Sequence, residues 1–322
     1  MLVVGRNGAG KTNLLESLHL ATQGFSPRTR HDAQLIRFGE TAARVAVSGH
    51  RGTAPVDVTL TLREGQAKEA SLNGARLPSA EALRRELSTL VFTPDRLAVV
   101  KGGPAARRAY FDRAIGRLFP ARAAVPQDYL AALAQRNAAL RRTQLGLSDR
   151  SAISPWTEQV ASLGAALVDA RRSTLTRIAP TFAERADELG LPDATLGYDA
   201  DAPTVEQLES RLPRDIERGT TGVGAHLDDV SITSGDRDLR QFGSQGEQRL
   251  AVLSLLLAEA ALLDTPPLLL LDDVLSELDP GRRRVLAERI AGMGQTVITA
   301  THASALPVAP AQVVEVEPGT AR

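Results

Sequence analysis

Gly5-Arg6-Asn7-Gly8-Ala9-Gly10-Lys11-Thr12 is the stretch on which the reading of this chain turns. It fits G-x-x-x-x-G-K-[ST], a loop whose glycines let the backbone curl so that successive N–H groups face phosphate oxygens. In such a loop Lys11 places a cation near the β- and γ-phosphates, and Thr12 offers a hydroxyl to Mg²⁺. The flanks agree. Met1-Leu2-Val3-Val4 is an apolar run suited to a buried strand, and Asn13 to Leu20 has helical spacing, which sets a helix N-terminus under the phosphates. The nucleotide-binding set is then Gly5, Asn7, Gly8, Ala9, Gly10, Lys11, Thr12 and Asn13. The competing reading is a glycine-rich surface turn before a helix. With only three lysines in the chain (Lys11, Lys68 and Lys101), an accidental lysine at that place is rare. The apolar run starts at residue 1 with nothing upstream to pair with it. The expectation is either that the first strands are missing or that the sheet is smaller than usual.

Composition narrows the classes. The 322 residues suffice for one large domain or two smaller ones, and 43% hydrophobic with 24% charged residues is ordinary for a globular protein. No run of about 18 apolar residues suggests a membrane span, and no charged segment leads into an apolar one as in a secretion signal. The absence of cysteine excludes disulfides and thiolate metal sites and suits the cytoplasm. With 38 basic and 38 acidic residues, any nucleic-acid contact must use a local patch. All basic residues but three are arginine, which suits phosphate; codon bias is the plainer explanation, alanine being abundant too.

Taken in order, Gly24 to Arg30 is a loop in which Arg28 and Arg30 either face a phosphate backbone or are solvated. Arg44–Gly49 and Val56–Leu62 alternate at period two and predict antiparallel strands, with a tight turn at Asn73-Gly74. Ser79–Leu87 reads as helix and Leu90–Phe92 as strand. Gly102-Gly103-Pro104 opens a helix with Arg107 and Arg108 in its early turns, where cations oppose the helix dipole. A carboxylate or phosphate partner would relieve that, or both arginines are simply solvated. From Gln127 to about Leu189 helical spacing prevails, predicting an antiparallel helical pair that turns between Gly146 and Pro155. Its arginines (Arg136, Arg141, Arg142, Arg171, Arg172 and Arg177) either line a DNA-facing surface or form a solvated face.

Strand chemistry returns at His226–Ile232. Ser244 then N-caps an apolar helix and Glu247 completes a capping box; such a helix start is either that structural device alone or also an anion site, its N–H groups and the Ser244 hydroxyl meeting a γ-phosphate. Leu268–Leu271 reads as a strand buried on both faces. The two carboxylates that end it, Asp272 and Asp273, lack an evident structural partner, and Mg²⁺ supplies one. Asp272 would hold the metal while Asp273 orients or deprotonates the attacking water. Ser276-Glu277-Leu278-Asp279-Pro280 turns into a helix carrying Arg282, Arg283 and Arg284. Gln295–Ala300 is a further buried strand ending near His302, a hydrogen-bond donor to a γ-phosphate or a structural histidine.

The order of these motifs resembles an ABC-type ATPase head, an α/β fold with a mixed sheet, here with a helical insertion lobe. Within that class the chain resembles the RecF family. Pro94-Asp95 through Gly103-Pro104-Ala105-Ala106-Arg107-Arg108-Ala109-Tyr110-Phe111-Asp112 is similar to one family signature, and Leu270 through Asp279, with Arg282 and Leu286, to another. Gly8–Glu16 and Leu35–Gly39 also fit. Phe111 departs from an aliphatic residue, Gly224-Ala225-His226-Leu227-Asp228-Asp229 varies from the family loop, and no glutamine matches the ABC Q-loop, although Asp95 lies in its region. The resemblance implies a head of residues 1–100 and 220–322, without its first strands, and a helical lobe of 101–219. It implies ATP with Mg²⁺ on Lys11, Thr12 and Asp272 of one subunit, closed over by Ser244, Gly246 and Glu247 of a second, with Asp279 near the seam. ATP would then hold a homodimer on single-stranded, gapped or double-stranded DNA, with slow DNA-stimulated hydrolysis. RecO and RecR would be partners in loading RecA during recombinational repair, the response to DNA damage and replication restart. Arg107, Arg108, Arg141 and Arg142 are the candidate DNA contacts. An ATPase-inactive repair scaffold, another SMC-like ABC ATPase and a transporter subunit are the alternatives.

Overall fold

The computed structural model describes residues 1–29 and 31–322; Arg30 lies outside the described residues, as do the side chains of Glu81, Arg85 and Glu277. In chain order the strands are β1 (Leu2–Val4), β2 (Ala42–Arg51), β3 (Ala54–Arg63), β4 (Glu69–Leu72), β5 (Ala75–Arg76) and β6 (Thr89–Phe92). There follow β7 (Ala194–Gly197), β8 (Ser231–Ser234), β9 (Arg237–Asp238), β10 (Leu268–Leu271), β11 (Thr296–Ala300), β12 (Val313–Glu317) and β13 (Thr320–Ala321). The chain divides into two compact units. One comprises residues 1–97, 188–190 and 252–322; the other comprises 98–187 and 191–251.

The first unit is built on a six-stranded mixed sheet of order β13-β12-β1-β11-β10-β6, parallel except for β13 on β12. The four leucines of β10 lie between β11 and β6, so both edges are paired and both faces are covered, the environment a continuous apolar run requires. The first strand is paired on both sides. Leu2 lies opposite Ile298 of β11 and Val313 of β12, so its partners come from the other end of the chain rather than from upstream. On one face Val3, Val91, Leu270 and Val297 pack with Ala9 and Leu15 at and after the glycine loop. A second sheet, antiparallel in the order β2-β3-β4-β5, buries Val58, Leu60 and Leu62 at period two against Leu20 and Ala21. Asn73 and Gly74 both have positive φ, as the two-residue turn between β4 and β5 requires.

The second unit is mostly helical. Helices Pro104–Leu118, Val125–Gln144 and Ser154–Glu188 are joined by short helices Val205–Ser210 and Leu212–Arg218 and by the small sheet β7-β8-β9. The Val125–Gln144 and Ser154–Glu188 helices bury Tyr129, Ala132, Leu133, Val160, Leu167 and Val168 together, while Leu130, beside Tyr129 in the chain, is exposed. Of the expected His226–Ile232 strand only Ser231 and Ile232 lie in a sheet, as the first half of β8. His226, Asp228 and Asp229 instead use their side chains inside this unit, as described below. The helix Gln245–Leu262 starts in this unit and ends in the other, so Ser244 does not belong to the unit that carries the glycine loop.

Candidate functional site

The loop geometry explains its residue types. A Cβ on Gly5 would lie 2.4 Å from the Val316 carbonyl oxygen, so only glycine allows β12 to approach this closely. Gly8 and Gly10 have φ of 82° and 108°, with Gly10 turning the chain into the helix Lys11–Gln23. The Lys11 ammonium is buried and donates to the carbonyls of Gly5 (2.7 Å) and Arg6 (3.0 Å), which keeps the cation under its own loop with one donor left over.

At the next residue, the Thr12 hydroxyl lies 3.0 and 3.2 Å from the two carboxylate oxygens of Asp272, at the C-terminal end of β10. Asp272 is buried, and Thr299 at the end of β11 donates its hydroxyl to the same carboxylate at 2.8 Å. The expectation of two carboxylates without structural partners is therefore corrected: Asp272 is satisfied by two hydroxyls, and Asp273 is exposed. Asp273 has a left-handed backbone (φ 51°, ψ 29°) and donates its N–H to Thr299 Oγ1 at 2.8 Å. An aspartate tolerates that conformation at a cost of about 1 kcal/mol, and such positions gather at working sites. Thr299 was not singled out from the sequence, although its place two residues after buried Val297, at a strand end beside β10, is the available signal. Hard oxygen donors from one hydroxyl and one carboxylate, already in contact, fit a Mg²⁺ ion that keeps most of its remaining shell for water and phosphate.

Other expected residues of this unit are more peripheral. Asp279 N-caps the helix Pro280–Ile290. Its carboxylate accepts the Arg282 N–H at 3.0 Å and lies 3.3 Å from that residue's guanidinium, and the backbone N–H holds it below the usual carboxylate range. His302 is exposed just beyond β11, and Asp95 is exposed beyond β6.

In the second unit Ser244 and Glu247 form the expected reciprocal pair. The Ser244 N–H donates to Glu247 Oε2 at 2.8 Å, and the Glu247 N–H donates to Ser244 Oγ at 3.2 Å. Arg237 adds an ion pair to Glu247 at 2.9 Å. The Ser244 N–H first, then this arginine, hold the glutamate below its ordinary range. Ser244 and Gly246 are exposed, so the serine hydroxyl keeps its proton for an external acceptor.

The arginines read as possible DNA contacts separate into two groups. Arg107 is buried and makes a bidentate pair with Asp229 (2.7 and 2.6 Å) while donating to the carbonyls of Val100 and Gly102. Asp229 is thereby held acidic: burial alone would raise it, but the Arg107 hydrogen bonds and charge outweigh this. Arg108 donates to the Asp228 carbonyl. Arg136 is fully buried on Asp215, Thr157 and Thr221, and Arg171 is buried on Asp112, Asp228 and the Ala225 carbonyl. Arg107, Arg136 and Arg171 therefore present no guanidinium to a partner, and a surface role for them is withdrawn; Arg141 and Arg142 are exposed. The Gly224–Asp229 loop sits among these pairs. His226 lies between the Tyr129 hydroxyl (2.8 Å) and the Thr221 carbonyl (3.1 Å), and Tyr198 donates to Asp228 at 2.6 Å.

Comparison with known proteins agrees with this geometry. The RecF/RecN/SMC N-terminal domain family matches residues 1–320. DNA replication and repair protein RecF of Heliobacterium modesticaldum is 36% identical over 319 residues, covering 94% of this chain and 86% of that protein. The RecF of Myxococcus xanthus is 37% identical over 329 residues, covering 94% and 85%. The chain belongs to the RecF family. A solved RecF–ATP structure, described as a recombination mediator of the RecFOR pathway, superposes with a TM-score of 0.88 at 27% identity, covering 100% of this chain and 90% of that one. An Smc head domain from Pyrococcus furiosus matches at a TM-score of 0.58 and 16% identity, a likeness of fold alone. The RecF-family fold thus accounts for a P-loop unit and a helical unit in one chain. Among the described residues no helix is long and apolar enough to cross a membrane.

Proposed function

We propose that this RecF-family chain is an ATP-dependent DNA-binding clamp of recombinational repair, acting in the cytoplasm. The observation that carries the reading is the set of buried Lys11, Asp272 and Thr299 with half-buried Thr12, an anion-binding loop facing a carboxylate at the end of a central strand. ATP is the nucleotide, as in the solved RecF–ATP relative. Asn7 to Asn13 supply N–H groups to its phosphates, and Lys11 neutralises charge on them. Thr12 and Asp272 hold Mg²⁺, which when bound neutralises the β- and γ-phosphates. Asp273 is placed to orient water, and His302 to donate a hydrogen bond.

Ser244 and Gly246 of a second copy complete the site, since the capping box leaves the serine proton and the Gly246 N–H available. Glu247 supports this helix start, and Asp279 lies near the seam between copies. ATP thereby joins two copies around DNA, slow hydrolysis releases them, and RecO and RecR act with the clamp. An ATPase-inactive scaffold is the second reading, favoured by Asp273, whose exposed carboxylate is one methylene shorter than a glutamate's. Turnover of ATP with DNA present, lost in Lys11→Arg, separates the two.

Sedimentation velocity with and without ATP tests the composite site. The wild type shifts from monomer to dimer on adding ATP, whereas Ser244→Arg binds ATP and stays monomeric. An unchanged dimer in the variant refutes the composite site.

A further inference from the structure

Three strands of the first unit end side by side on the face that carries the glycine loop. Leu270 of β10 is paired in register with Val91 of β6 and Val297 of β11, and all three pack in the core beneath the loop. Side chains alternate along a strand, so the residues two further on return to that face. They are Asp272, Thr299 and Thr93. Asp272 and Thr299 are the carboxylate and the hydroxyl already joined to Thr12. Thr93 precedes Pro94, which keeps its backbone extended, and the ladder still holds at this point because the Asp272 N–H donates to the Phe92 carbonyl at 2.9 Å.

Thr93 is only 4% exposed, and its hydroxyl oxygen is buried without a hydrogen-bond partner among the described residues. That is an expensive arrangement, because a valine of the same shape would fill the space with no polar atom to leave unmet. The groups beside it in the row are all paired to one another. No described residue gives this hydroxyl a partner, while the face it shares is the one where phosphate and cation belong.

We propose that Thr93 is a positioning residue of the nucleotide site, its hydroxyl hydrogen-bonding the hydration shell of the bound magnesium–ATP. It thereby supplies, one residue beyond β6, a polar contact to that site. The proposal rests on the reading of Lys11, Thr12 and Asp272 given above.

The test compares wild type, Thr93→Val and Thr93→Ser by titration with a fluorescent ATP analogue, with Mg²⁺ and with EDTA, together with melting of the nucleotide-free proteins. In wild type Mg²⁺ tightens binding. In Thr93→Val this gain falls about tenfold, the size of one hydrogen bond to a charged cluster, while binding in EDTA is unchanged and the nucleotide-free protein melts no lower. Thr93→Ser restores the gain. A valine variant that keeps the full gain overturns the proposal alone, and so does one whose nucleotide-free form melts well below wild type, since the hydroxyl would then be bonded within the fold. Wild-type binding indifferent to Mg²⁺ overturns the site reading and this proposal with it.

Discussion

Replacing Asp215 by asparagine should unfold the helical unit far more readily than its single-atom change suggests. Arg136 is 0% exposed and Asp215 1% exposed. The guanidinium donates to Asp215 Oδ2 at 2.9 Å and to Thr221 Oγ1 at 2.7 Å through Nη1, and to Thr157 Oγ1 at 3.1 Å through Nε. The other Asp215 oxygen accepts the Gly222 N–H at 3.1 Å. Asparagine keeps much of the shape but removes the only full negative charge among these partners, leaving a buried cation uncompensated. Breaking a buried pair on one side costs about 3–5 kcal/mol. At about 2–4 °C per kcal/mol for a domain of ordinary size, melting of this unit should fall by roughly 6–20 °C.

The single tryptophan provides the assay. Trp156 packs against a core of Ala139, Leu140 and Ile153 together with Leu212 and Ile216, which flank Asp215 on the same short helix. Its emission during urea or thermal unfolding therefore reports the unit in question. The double variant Arg136→Met/Asp215→Leu should recover most of the loss, because no charge is then left buried. An Asp215→Asn transition within about 1 kcal/mol of wild type would refute the reasoning.

Three further outcomes follow from particular contacts. Gly5→Ala places a methyl 2.4 Å from the Val316 carbonyl and forces the loop or β12 to move, so ATP affinity should drop by about tenfold or more while circular dichroism stays unchanged. Burial lowers the His226 pKa below 6.5, so the folded protein holds the ring neutral. Its contribution is complete above pH 6.5 and is lost as pH falls through 6.5 toward the folded value; His226→Asn should flatten unfolding free energy measured between pH 7.5 and 5.5. Reversing the exposed Arg141 and Arg142 to glutamate should weaken duplex binding and reduce its salt dependence, whereas Arg107→Met should lower melting temperature and leave the salt dependence of the folded protein unaltered.

Local chemistry made much of the first unit legible. The glycine loop, the Asn73-Gly74 turn, the alternation in β3 and the four leucines of β10 each carry a pattern that only a few conformations satisfy. The capping box at Ser244 was equally readable because its partners are three residues apart. Partners far apart in sequence were not. Arg136 reaches Asp215 and Thr221, and Arg171 reaches Asp112 and Asp228, and no local rule announces these pairings. A signal for burial did exist: Arg136 lies three residues after Leu133 and four before Leu140, on the apolar stripe rather than opposite it. Arg171 stands likewise between Leu167 and Leu175. Thr299 and Thr93 join the site through the register of three strands, which becomes visible only when the sheet order is known.

If the clamp works as proposed, ATP in the Lys11 loop governs the hold on DNA. Titration of one linear duplex with wild type and Lys11→Ala, each with and without ATP and Mg²⁺ at fixed salt, tests it most directly. ATP should tighten binding by wild type and make no difference to the variant. Wild-type affinity that ATP does not change would contradict it.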